Sequence, residues 1–318
     1  MAADLCSVVI VNYNGARYLR ECLGALRTQS IPSHRVEVIV VDNNSSDGSA
    51  ELIRTEFPWV RLVKLRENEG FAGGNNAGFV RAHGENIVLL NNDTAPDSHW
   101  LGELLASASA APDTGGVASK LIFHGEPRML NSTGSRLLRD GHGEDRGFRD
   151  DDDGRYERAE EVFAGCGAAL LLRKEMLDEV GPFDERYFMY YEDTDLAWRA
   201  RHRGWRFRYA PTSLVRHVHC GSSGEWSPFF TFHVERNRVV TNLKNGDLWA
   251  AIWTVFSLFS RVRKASVRLV IDGGPFRRRW ATLRAYLAAV VSLVALMPAI
   301  LVERYRLRLA HHLRDHGH

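Results

Sequence analysis

The strongest constraint on the fold is an alternation of short apolar runs and helical stretches between Ser7 and Asp93. The apolar runs read SVVIVNY, VEVIVVD, VRLVKL and NIVLLNND, and the segments 16–29, 47–57 and 73–83 between them have helical character. This alternation is typical of βαβ units in a parallel sheet. Because the runs are nearly continuous in apolar residues, the strands are predicted to be covered by helices on both faces.

Polar residues follow each of these predicted strands. They are Asn12 and Asn14, Asp42 to Asn44, Arg66 to Asn68, and Asn91 to Asp93. Ligands of open parallel sheets bind beyond the carboxyl ends of the strands, so the four ends are predicted to line one crevice. There Asp42 could accept hydrogen bonds from a base or a ribose. Taken singly, each segment is equally open to an interpretation as turn or helix-cap chemistry.

Composition narrows the class of protein. The chain has 318 residues, 45% hydrophobic and 25% charged, which suits one large or two modest globular domains. Lys and Arg total 41 against 39 for Asp and Glu, a balance that argues against nucleic acid as the main partner. The N-terminus lacks the pattern of a signal peptide, so the chain is expected on the cytoplasmic side. A reduced protein is expected because no CxxC pair occurs among Cys6, Cys22, Cys166 and Cys220.

The middle of the chain gives a weaker signal. Strands are predicted at 117–123 and 162–172, on either side of a polar stretch. This stretch contains four consecutive aspartates, Asp150 to Asp153. A run of like charges without ligand spacing favours a solvated loop over a metal site.

Two segments at the predicted strand ends carry candidate ligand chemistry. NEGFAGGNNAG (68–78) is rich in glycine but matches neither GxGxxG nor the P-loop, so it indicates either close backbone approach to a ligand or a tight turn into a helix. In VLLNNDTAPD (88–97) the predicted strand ends in Asn91, Asn92 and Asp93. A carboxylate there can hold a hard divalent cation shared with phosphates, or Asp93 can cap the following turn.

The C-terminal region is apolar and basic. LWAAIWTVFSLFS (248–260) is followed by a basic stretch, and 285–302 contains no charge but includes Pro298. This run is at the short end for a spanning helix. The flanking arginines favour an in-plane or shallow membrane anchor over a buried hairpin in a soluble tail; they are Arg277, Arg278, Arg279, Arg284, Arg304, Arg306 and Arg308.

FMYYEDTDLAWRARHRG (188–204) places three carboxylates at the start of a predicted helix. Asp195 and Arg199 have the spacing of a helix-surface ion pair, and acidic residues in the first turn suit the helix dipole. Glu192 and Asp193 follow a run of aromatic residues and Met. A carboxylate against such an apolar wall has a raised pKa, which suits a general base.

Together these motifs resemble family 2 glycosyltransferases, and within them a bacterial rhamnosyltransferase-like branch. SVVIVNYNG, VVDNNSSDGS, NEGFAGGNNAG, LLNNDT and FDERYFMYYEDTDLAWRARHRGW occur in the order and spacing of that family. The resemblance covers roughly residues 5–245, including RNRVVTNLKN. It implies an α/β fold of GT-A type, a Rossmann-like and mostly parallel sheet flanked by helices, to which the chain adds a helical apolar C-terminal extension.

The resemblance also implies how the chain is divided into functional parts and which residues bind the donor. Residues 1–114 would form the nucleotide-sugar-binding half, 115–245 the acceptor-binding and catalytic half, and 246–318 a membrane-associating tail. A turn from Gly73 to Asn76 would lie against the donor. The donor-binding residues would be Asn12, Asn14, Asp42, Asn44, Gly73, Gly74, Asn75 and Asn92.

For the metal, Asp93 matches the second acid of the family's Asp-x-Asp motif, whereas Asn91 stands in place of the first. Mg²⁺ or Mn²⁺ would therefore be held weakly, or mostly by the diphosphate. The family's histidine is matched best by His217, followed by Ser222, with His219 as the alternative. A histidine of this kind can also be inert and hydrogen-bonded near a strand end.

In the family's Glu-Asp motif the aspartate is the base, which implies that Asp193 is the catalytic residue. The acceptor-side or supporting residues would be Glu192, Tyr191, His219 and Arg236. The expected reaction is an inverting transfer from a nucleoside diphosphate sugar to a hydroxyl of a saccharide or lipid-linked saccharide, in cell-envelope polysaccharide synthesis. dTDP-rhamnose is the first donor to expect and a UDP-sugar the second, with the enzyme peripheral on the inner face of the plasma membrane.

Two other classes of protein remain open. A sugar nucleotidyltransferase would share the sheet, but it would carry a glycine-rich, basic loop after the first strand, of which VNYNGARYLREC is a poor version. A non-catalytic nucleotide-sugar-binding relative would fit the substitution at Asn91. Retention of Asp93, Asp193 and His217 together argues against it.

Overall fold

The computed structural model describes residues 5–138, 141–219, 226–271 and 275–315. They form two compact units. The first comprises the described residues of 1–136, 144–188 and 192–222, and the second those of 137–143, 189–191 and 223–318. This division groups 226–245 with the tail, whereas the sequence suggested a boundary at 245.

The strands within the described residues are β1 (Cys6–Asn12), β2 (Val36–Asp42), β3 (Arg61–Lys64), β4 (Asn86–Leu90), β5 (Thr94–Pro96), β6 (Thr114–Phe123), β7 (Glu126–Ser132), β8 (Ser135–Leu137), β9 (Gly143–Asp145), β10 (Glu160–Val162), β11 (Ala169–Arg173) and β12 (Arg206–His217). The helices are α1 (Ala16–Arg27), α2 (Ser49–Glu56), α3 (Gly70–Phe79), α4 (Trp100–Ser109), α5 (Lys174–Val180), α6 (Glu192–His202), α7 (Pro228–Asn245), α8 (Leu248–Ile271) and α9 (Phe276–Asp315).

The predicted parallel sheet is confirmed for the first half of the chain. Strands β4, β1, β2 and β3 lie side by side and are all parallel. Their register aligns Asn12 with Asp42, so the carboxyl ends of β1 and β2 are level. The continuous β-branched runs suit strands buried on both faces.

The second half of the sheet is mixed and not mostly parallel. Strand β11 lies antiparallel between β4 and β6, and β12 runs parallel to β6. Strands β5 and β10 pair antiparallel with β12, and β7 pairs antiparallel with β6.

The single strand predicted at 162–172 is wrong, because β10 ends at Val162 and β11 begins only at Ala169. Strand β10 pairs with β12, and β11 lies between β4 and β6. The β structure is interrupted between these two strands, in a segment that includes Gly165 and Gly167. A Cβ at Gly165 would meet Cδ1 of Leu170 at 2.6 Å and Cβ of Ala118 at 3.0 Å, so glycine suits the close packing at this crossing.

Helices cover both faces of the sheet, as predicted. On one face Val8 and Ile10 of β1 pack with Leu19 and Leu23 of α1 and with residues of α4. On the other face Val9 packs in a second cluster with residues of α3 and α6. Successive residues of a strand point to opposite faces, so one short strand contributes to both cores.

The second unit is built mainly from three helices, α7, α8 and α9. Although α8 and α9 are rich in apolar residues, this unit contains buried ion pairs. Nη2 of Arg238 lies 3.1 Å from the Glu235 carboxylate, and Lys244 Nζ lies 3.0 Å from that of Glu303. The side chains of Arg238 and Lys244 have no exposed surface. The helix segment 276–308 is long and apolar enough to cross a membrane by length and composition.

Candidate active site

Three of the predicted strand-end segments meet in a hydrogen-bonded group. Asn92 Nδ2 donates to Asn12 Oδ1 at 2.7 Å, and Asn12 Nδ2 donates to Ser45 Oγ at 3.1 Å. These bonds join the ends of β1 and β4 to the loop after β2. The convergence follows from parallel strands, whose carboxyl ends share one edge of the sheet.

Asp42 is buried at this edge with one oxygen left over. Its Oδ1 accepts from the backbone N–H of Ser45 at 3.3 Å. Its Oδ2 has no hydrogen-bond partner in the part of the chain that the structure describes. Because buried polar atoms are nearly always paired, this oxygen is a candidate acceptor for a donor group of a ligand.

Asn14 and Asn44 are exposed residues of the turns beside this group. Both have left-handed backbone conformations, with φ of 52° and 64°. The Asn14 side chain accepts from the backbone N–H of Ser46 at 2.8 Å. Turn formation therefore explains both residues in this structure, and a contact with a ligand stays a prediction.

Asn43, which the sequence placed only among the polar residues after β2, joins the end of β2 to the start of α3. Its side chain donates to Asn68 Oδ1 and to the carbonyl of Gly70, each at 2.9 Å, and accepts from the N–H of Glu69. It is buried, whereas the neighbouring Asn44 is exposed. An Asn-Asn pair in sequence does not say which member faces the interior.

The prediction of a turn at Gly73–Asn76 is wrong, because these residues lie inside α3. A Cβ at Gly74 would meet Cγ1 of Val11 at 2.7 Å, so this glycine lets the helix approach β1 closely. Asn75 is buried and donates to the carbonyl of Phe71 within its own helix at 2.8 Å. Whether Gly73, Gly74 and Asn75 contact a donor stays a prediction.

Asp93 and His217 meet where β4 leads into β5 and β12 ends. Thr94 is level with His217 in the pairing of β5 with β12, and this brings His217 Nε2 to 3.4 Å from Asp93 Oδ1. Both side chains are buried. Asn91 Nδ2 lies 3.5 Å from the same nitrogen of His217.

A residue missed in the sequence, Asn131 on β7, orients this histidine. Asn131 Oδ1 lies 2.7 Å from His217 Nδ1, and Asn131 Nδ2 lies 3.2 Å from His219 Nδ1. With this amide orientation His217 carries its proton on Nδ1, so the lone pair of Nε2 faces Asp93. One carboxylate and one imidazole nitrogen then face each other, a donor pair that suits Mn²⁺ or Mg²⁺ shared with a diphosphate.

His219, the alternative ligand, has a different environment. Its ring packs edge-on against Phe123, with centroids 5.5 Å apart, and against Phe148 at 5.4 Å. Its Nδ1 lies 3.2 Å from Asn131 Nδ2. Of the two histidines, the geometry favours His217. Ser222, predicted to follow it in the motif, lies outside the described residues.

Asp193 lies in the first turn of α6, as predicted. Its Oδ2 accepts from the backbone N–H of Gly167 at 3.1 Å, and its Oδ1 accepts from that of Thr194 at 2.6 Å. Desolvation raises the pKa of Asp193, while these hydrogen bonds act in the opposite direction. Its side chain is half-buried, in contrast to the buried carboxylates on either side.

Glu192 and Asp195, the neighbouring acids, differ from Asp193. Burial raises the pKa of Glu192 well above its ordinary value, and its Oε2 has no hydrogen-bond partner among the described residues. The prediction of an Asp195–Arg199 pair at the helix surface is wrong, because both side chains are buried with Nε 2.9 Å from Oδ2. Arg199 also donates to the carbonyls of Val180, Gly181 and Pro182. This pair fixes the chain before α6.

Asp145, at the end of β9, is a second missed residue. Ser132 Oγ donates to its Oδ1 at 2.8 Å. Desolvation, with a smaller contribution from the charge of Asp193, raises the pKa of Asp145 to about 6, and His217 opposes the shift. Asp145 is therefore close enough to interact electrostatically with both Asp193, the predicted base, and His217, the predicted metal ligand. An acid in the three-residue strand GED gives no sequence signal for this placement.

Tyr191 and Arg236 belong to the second unit. The hydroxyl of Tyr191 lies 3.4 Å from His142 Nδ1. Arg236 is buried, donates to Asn237 Oδ1 at 2.8 Å and lies over the ring of Phe232. Asn237 in turn donates to the carbonyls of Met189 and Tyr190. Their predicted acceptor-side role stays a prediction.

The four aspartates Asp150 to Asp153 are not gathered into a metal site. Asp150 accepts from the hydroxyl of Tyr156, Asp152 pairs with Lys120 at 2.7 Å, and Asp153 pairs with Arg155. No group of three or more His, Cys, Asp or Glu residues able to hold a metal occurs in the described ranges.

The fold and the site define a glycosyltransferase of GT-A type. The sequence profile of the glycosyl transferase family 2 matches residues 7–181. An N-acetylglucosaminyl-diphospho-decaprenol L-rhamnosyltransferase of Mycobacterium tuberculosis (strain CDC 1551 / Oshkosh) is 30% identical over 253 residues, covering 70% of this chain and 78% of that protein. The chain belongs to glycosyl transferase family 2, and the resemblance inferred from its motifs is confirmed.

Solved structures agree on the fold. A mannosyltransferase from Pyrobaculum calidifontis, in complex with GDP-Man and Mn²⁺, superposes with a TM-score of 0.57 at 20% identity, covering 91% of this chain and 86% of that one. Residues 1–349 of S. aureus TarS, in complex with UDP-GlcNAc, give 0.57 at 18% identity, covering 98% and 92%. At these identities the likeness shows the fold alone.

Proposed function

We propose that the chain is an inverting glycosyltransferase in which Asp193 is the general base. The sugar, rhamnose or a similar one, would pass from a nucleoside diphosphate sugar to a hydroxyl of a saccharide or lipid-linked saccharide in cell-envelope polysaccharide synthesis. The observation that carries this proposal is the environment of Asp193. It is a half-buried carboxylate with a raised pKa, held by two backbone N–H groups in the unit that contains the Asp42 and Asp93 groups.

In the reaction Asp193 would take the proton of the acceptor hydroxyl. The hydroxyl oxygen forms a bond to the anomeric carbon as the bond from that carbon to the diphosphate oxygen breaks. The electron pair of the broken bond leaves with the diphosphate, and attack from the opposite face inverts the configuration. The backbone N–H groups of Gly167 and Thr194 fix the carboxylate, so little reorganisation is needed when the acceptor binds.

The cation would be held by Asp93 and His217. When bound, a Mg²⁺ or Mn²⁺ ion stabilises the charge that the leaving diphosphate gains. With Asn91 in place of a second acid, the protein supplies two donors, so the diphosphate would supply most of the remaining oxygen ligands. The buried, oriented Nε2 of His217 supports this assignment.

Two observations support the proposed sugar donor: the environment of Asp42 and the name of the relative. The unpartnered Oδ2 of Asp42 suits the hydroxyl or N–H groups of a nucleoside. The relative is named for L-rhamnose transfer to a polyprenyl-linked N-acetylglucosamine, which favours dTDP-rhamnose over a UDP-sugar and a lipid-linked saccharide as acceptor. A cytoplasmic protein, peripheral on the inner face of the plasma membrane, follows from such an acceptor.

The base is tested by a pair of isosteric substitutions in one helix turn. Asp193→Asn should lower turnover by about 10²–10⁴-fold, because general-base assistance is worth that much. Asp195→Asn is the matched control. It should lower the melting temperature by disturbing the buried contact with Arg199, while folded protein keeps most of its turnover. Near wild-type turnover by Asp193→Asn, shown folded by circular dichroism, would exclude Asp193 as the base.

The donor is identified by thermal shift across nucleotide sugars, with and without Mn²⁺. A ligand at a hundred times its dissociation constant stabilises by about 2.7 kcal/mol, which is readily measured. We expect the largest shift with dTDP-rhamnose and Mn²⁺, and a smaller shift without the ion. Release of pyrophosphate from a nucleoside triphosphate would instead indicate a nucleotidyltransferase.

A further inference from the structure

Helix α8 of the second unit has two apolar faces. Ala251, Thr254 and Leu258 are buried on one face. On the opposite face lies a row of exposed side chains at helical spacing, here called the aromatic stripe: Trp249, Ile252, Trp253, Phe256 and Phe259. Trp249 is 76% exposed and Phe256 62%.

An aromatic stripe of this size needs a partner. Single exposed apolar residues are ordinary, but contiguous apolar patches on a soluble surface mark interaction sites. Trp and Phe are also the residues that place amphipathic helices in the headgroup region of a bilayer.

Helix α9 repeats this arrangement. Leu287, Val291, Val294 and Leu301 are exposed along one face, while Ala289 and Leu293 are buried on the other. The helix is long and apolar enough to cross a membrane. Its inner face, however, contacts α7 through charged groups. Lys244 of α7, whose side chain has no exposed surface, pairs with Glu303, and Arg304 donates to the carbonyl of Leu243.

These polar contacts favour an orientation along the membrane surface over a crossing. A spanning α9 would carry α7 and its buried charges into hydrocarbon, where each charge is costly. A helix lying in the plane would immerse only its exposed face and leave the contacts with α7 intact.

The charge of these two helices indicates which kind of membrane surface they fit. Helix α8 contains no acidic residue, and Glu303 is the only acid in 276–308. The exposed cations on the two helices are Arg263, Lys264, Arg268, Arg277, Arg278, Arg284, Arg306 and Arg308. Apolar stripes accompanied by cations match the interface of a bilayer with anionic headgroups.

We infer that the aromatic stripe of α8, together with the exposed face of α9, docks in the plane of an anionic lipid bilayer. The inference names the surface on which the lipid-linked acceptor of the proposed function would be met. This inference is tested separately from that function, because vesicle binding is measured without any sugar transfer.

The test is co-sedimentation of the full chain with vesicles of phosphatidylcholine alone or mixed with phosphatidylglycerol. We expect binding to the mixed vesicles that weakens with added NaCl. The double variant Trp253→Ser and Phe256→Ser should bind at least about 10-fold more weakly, because two large apolar side chains no longer enter the interface. Trp59→Ser, which removes a 40% exposed Trp of the first unit, is the matched control and should bind like the wild type.

Several outcomes would overturn the inference. Unchanged vesicle binding by the double variant would show that the aromatic stripe is not the contact. Retention in the membrane pellet after alkaline carbonate extraction would indicate a spanning helix. A wild-type dimer that the double variant dissociates, with no vesicle binding by either, would assign the stripe to a second copy of the chain. Asp193→Asn should bind vesicles normally, which keeps failure of catalysis distinct from failure of docking.

Discussion

At the scale of single residues, the site separates into groups that the sequence reveals and groups that it does not. Asp42, Asp93 and Asp193 follow apolar runs, so strand and helix periodicity already indicates their placement. Asn131 lies on β7 and Asp145 on β9, two strands that the sequence did not predict. Their side-chain environments depend on tertiary contacts, which no local pattern encodes.

Asn131 is predicted to act through His217. Asn131→Ala removes the acceptor at His217 Nδ1. The imidazole should then populate both tautomers, and Mn²⁺ affinity should fall about 10–100-fold, as for other residues that orient metal ligands. The tautomer is read from ¹⁵N chemical shifts of the histidines without metal, and Mn²⁺ affinity from the free-ion electron paramagnetic resonance signal in the presence of a nucleoside diphosphate. An unchanged tautomer would contradict the role, whatever the activity.

Asp145 is predicted to make stability depend on pH. Folding raises its pKa from an ordinary value of 3.8 to about 6, mainly by desolvation. Its contribution to stability is therefore fully present below about pH 4 and is lost as the pH rises through about 6. Asp145→Asn removes the ionisation, so the variant should be more stable than the wild type at about pH 8, by roughly 1–2 kcal/mol for a half-buried group, and this advantage should disappear near pH 4.

Urea unfolding at the two pH values, with chelator present to remove metal, measures this difference. Asp150→Asn is a suitable control, because that carboxylate is more exposed and bonds Tyr156. An advantage of Asp145→Asn that persists unchanged at low pH would show that the substitution acts through packing and not through charge.

At the scale of elements, helix α3 shows why the glycine-rich segment is a packing device in this structure. A Cβ at Gly78 would meet Cγ1 of Val9 on β1 at 2.3 Å. Gly78→Ala should therefore destabilise the protein by about 1–3 kcal/mol through overpacking, although alanine favours the helix. Gly24→Ala in α1 is the matched control, since no atom lies within 4 Å of its added Cβ, and it should be neutral or stabilising by up to about 1 kcal/mol. Equal melting temperatures for both variants would contradict close packing at Gly78.

The elements themselves were predictable to different degrees. The parallel strands β1 to β4 and helix α6 follow from local periodicity and end signals, and the structure has them where they were expected. The division of 162–172 into β10 and β11 was not predictable in the same way. Strand β10 reads EEV and β11 reads ALLLR, and their separation depends on which distant strand each one pairs with: β12 for the first, β4 and β6 for the second.

At the scale of the whole molecule, the C-terminal helices are part of a folded unit and cannot be treated as a detachable anchor. Arg238 of α7 donates to Thr254 of α8 at 2.9 Å, Glu235 pairs with Arg261 of α8, and Lys244 pairs with Glu303 of α9. Deleting residues 248–318 would remove these partners of the buried charges on α7. Such a deletion would test folding before it tested membrane binding, so surface substitutions are the sharper experiment.

The pair between Lys244 and Glu303 gives the most direct test of this view. Glu303→Gln keeps the shape of the side chain but removes the carboxylate from a Lys244 side chain with no exposed surface. Breaking a fully buried pair costs about 3–5 kcal/mol, and because Glu303 is 29% exposed we expect a smaller loss of roughly 1–3 kcal/mol. Glu51→Gln, which breaks an exposed pair with Arg54, should change stability by less than about 0.5 kcal/mol. If thermal unfolding gave the same melting temperature for both variants, α9 would not be anchored to α7 by this pair, and a membrane-crossing α9 would no longer conflict with it.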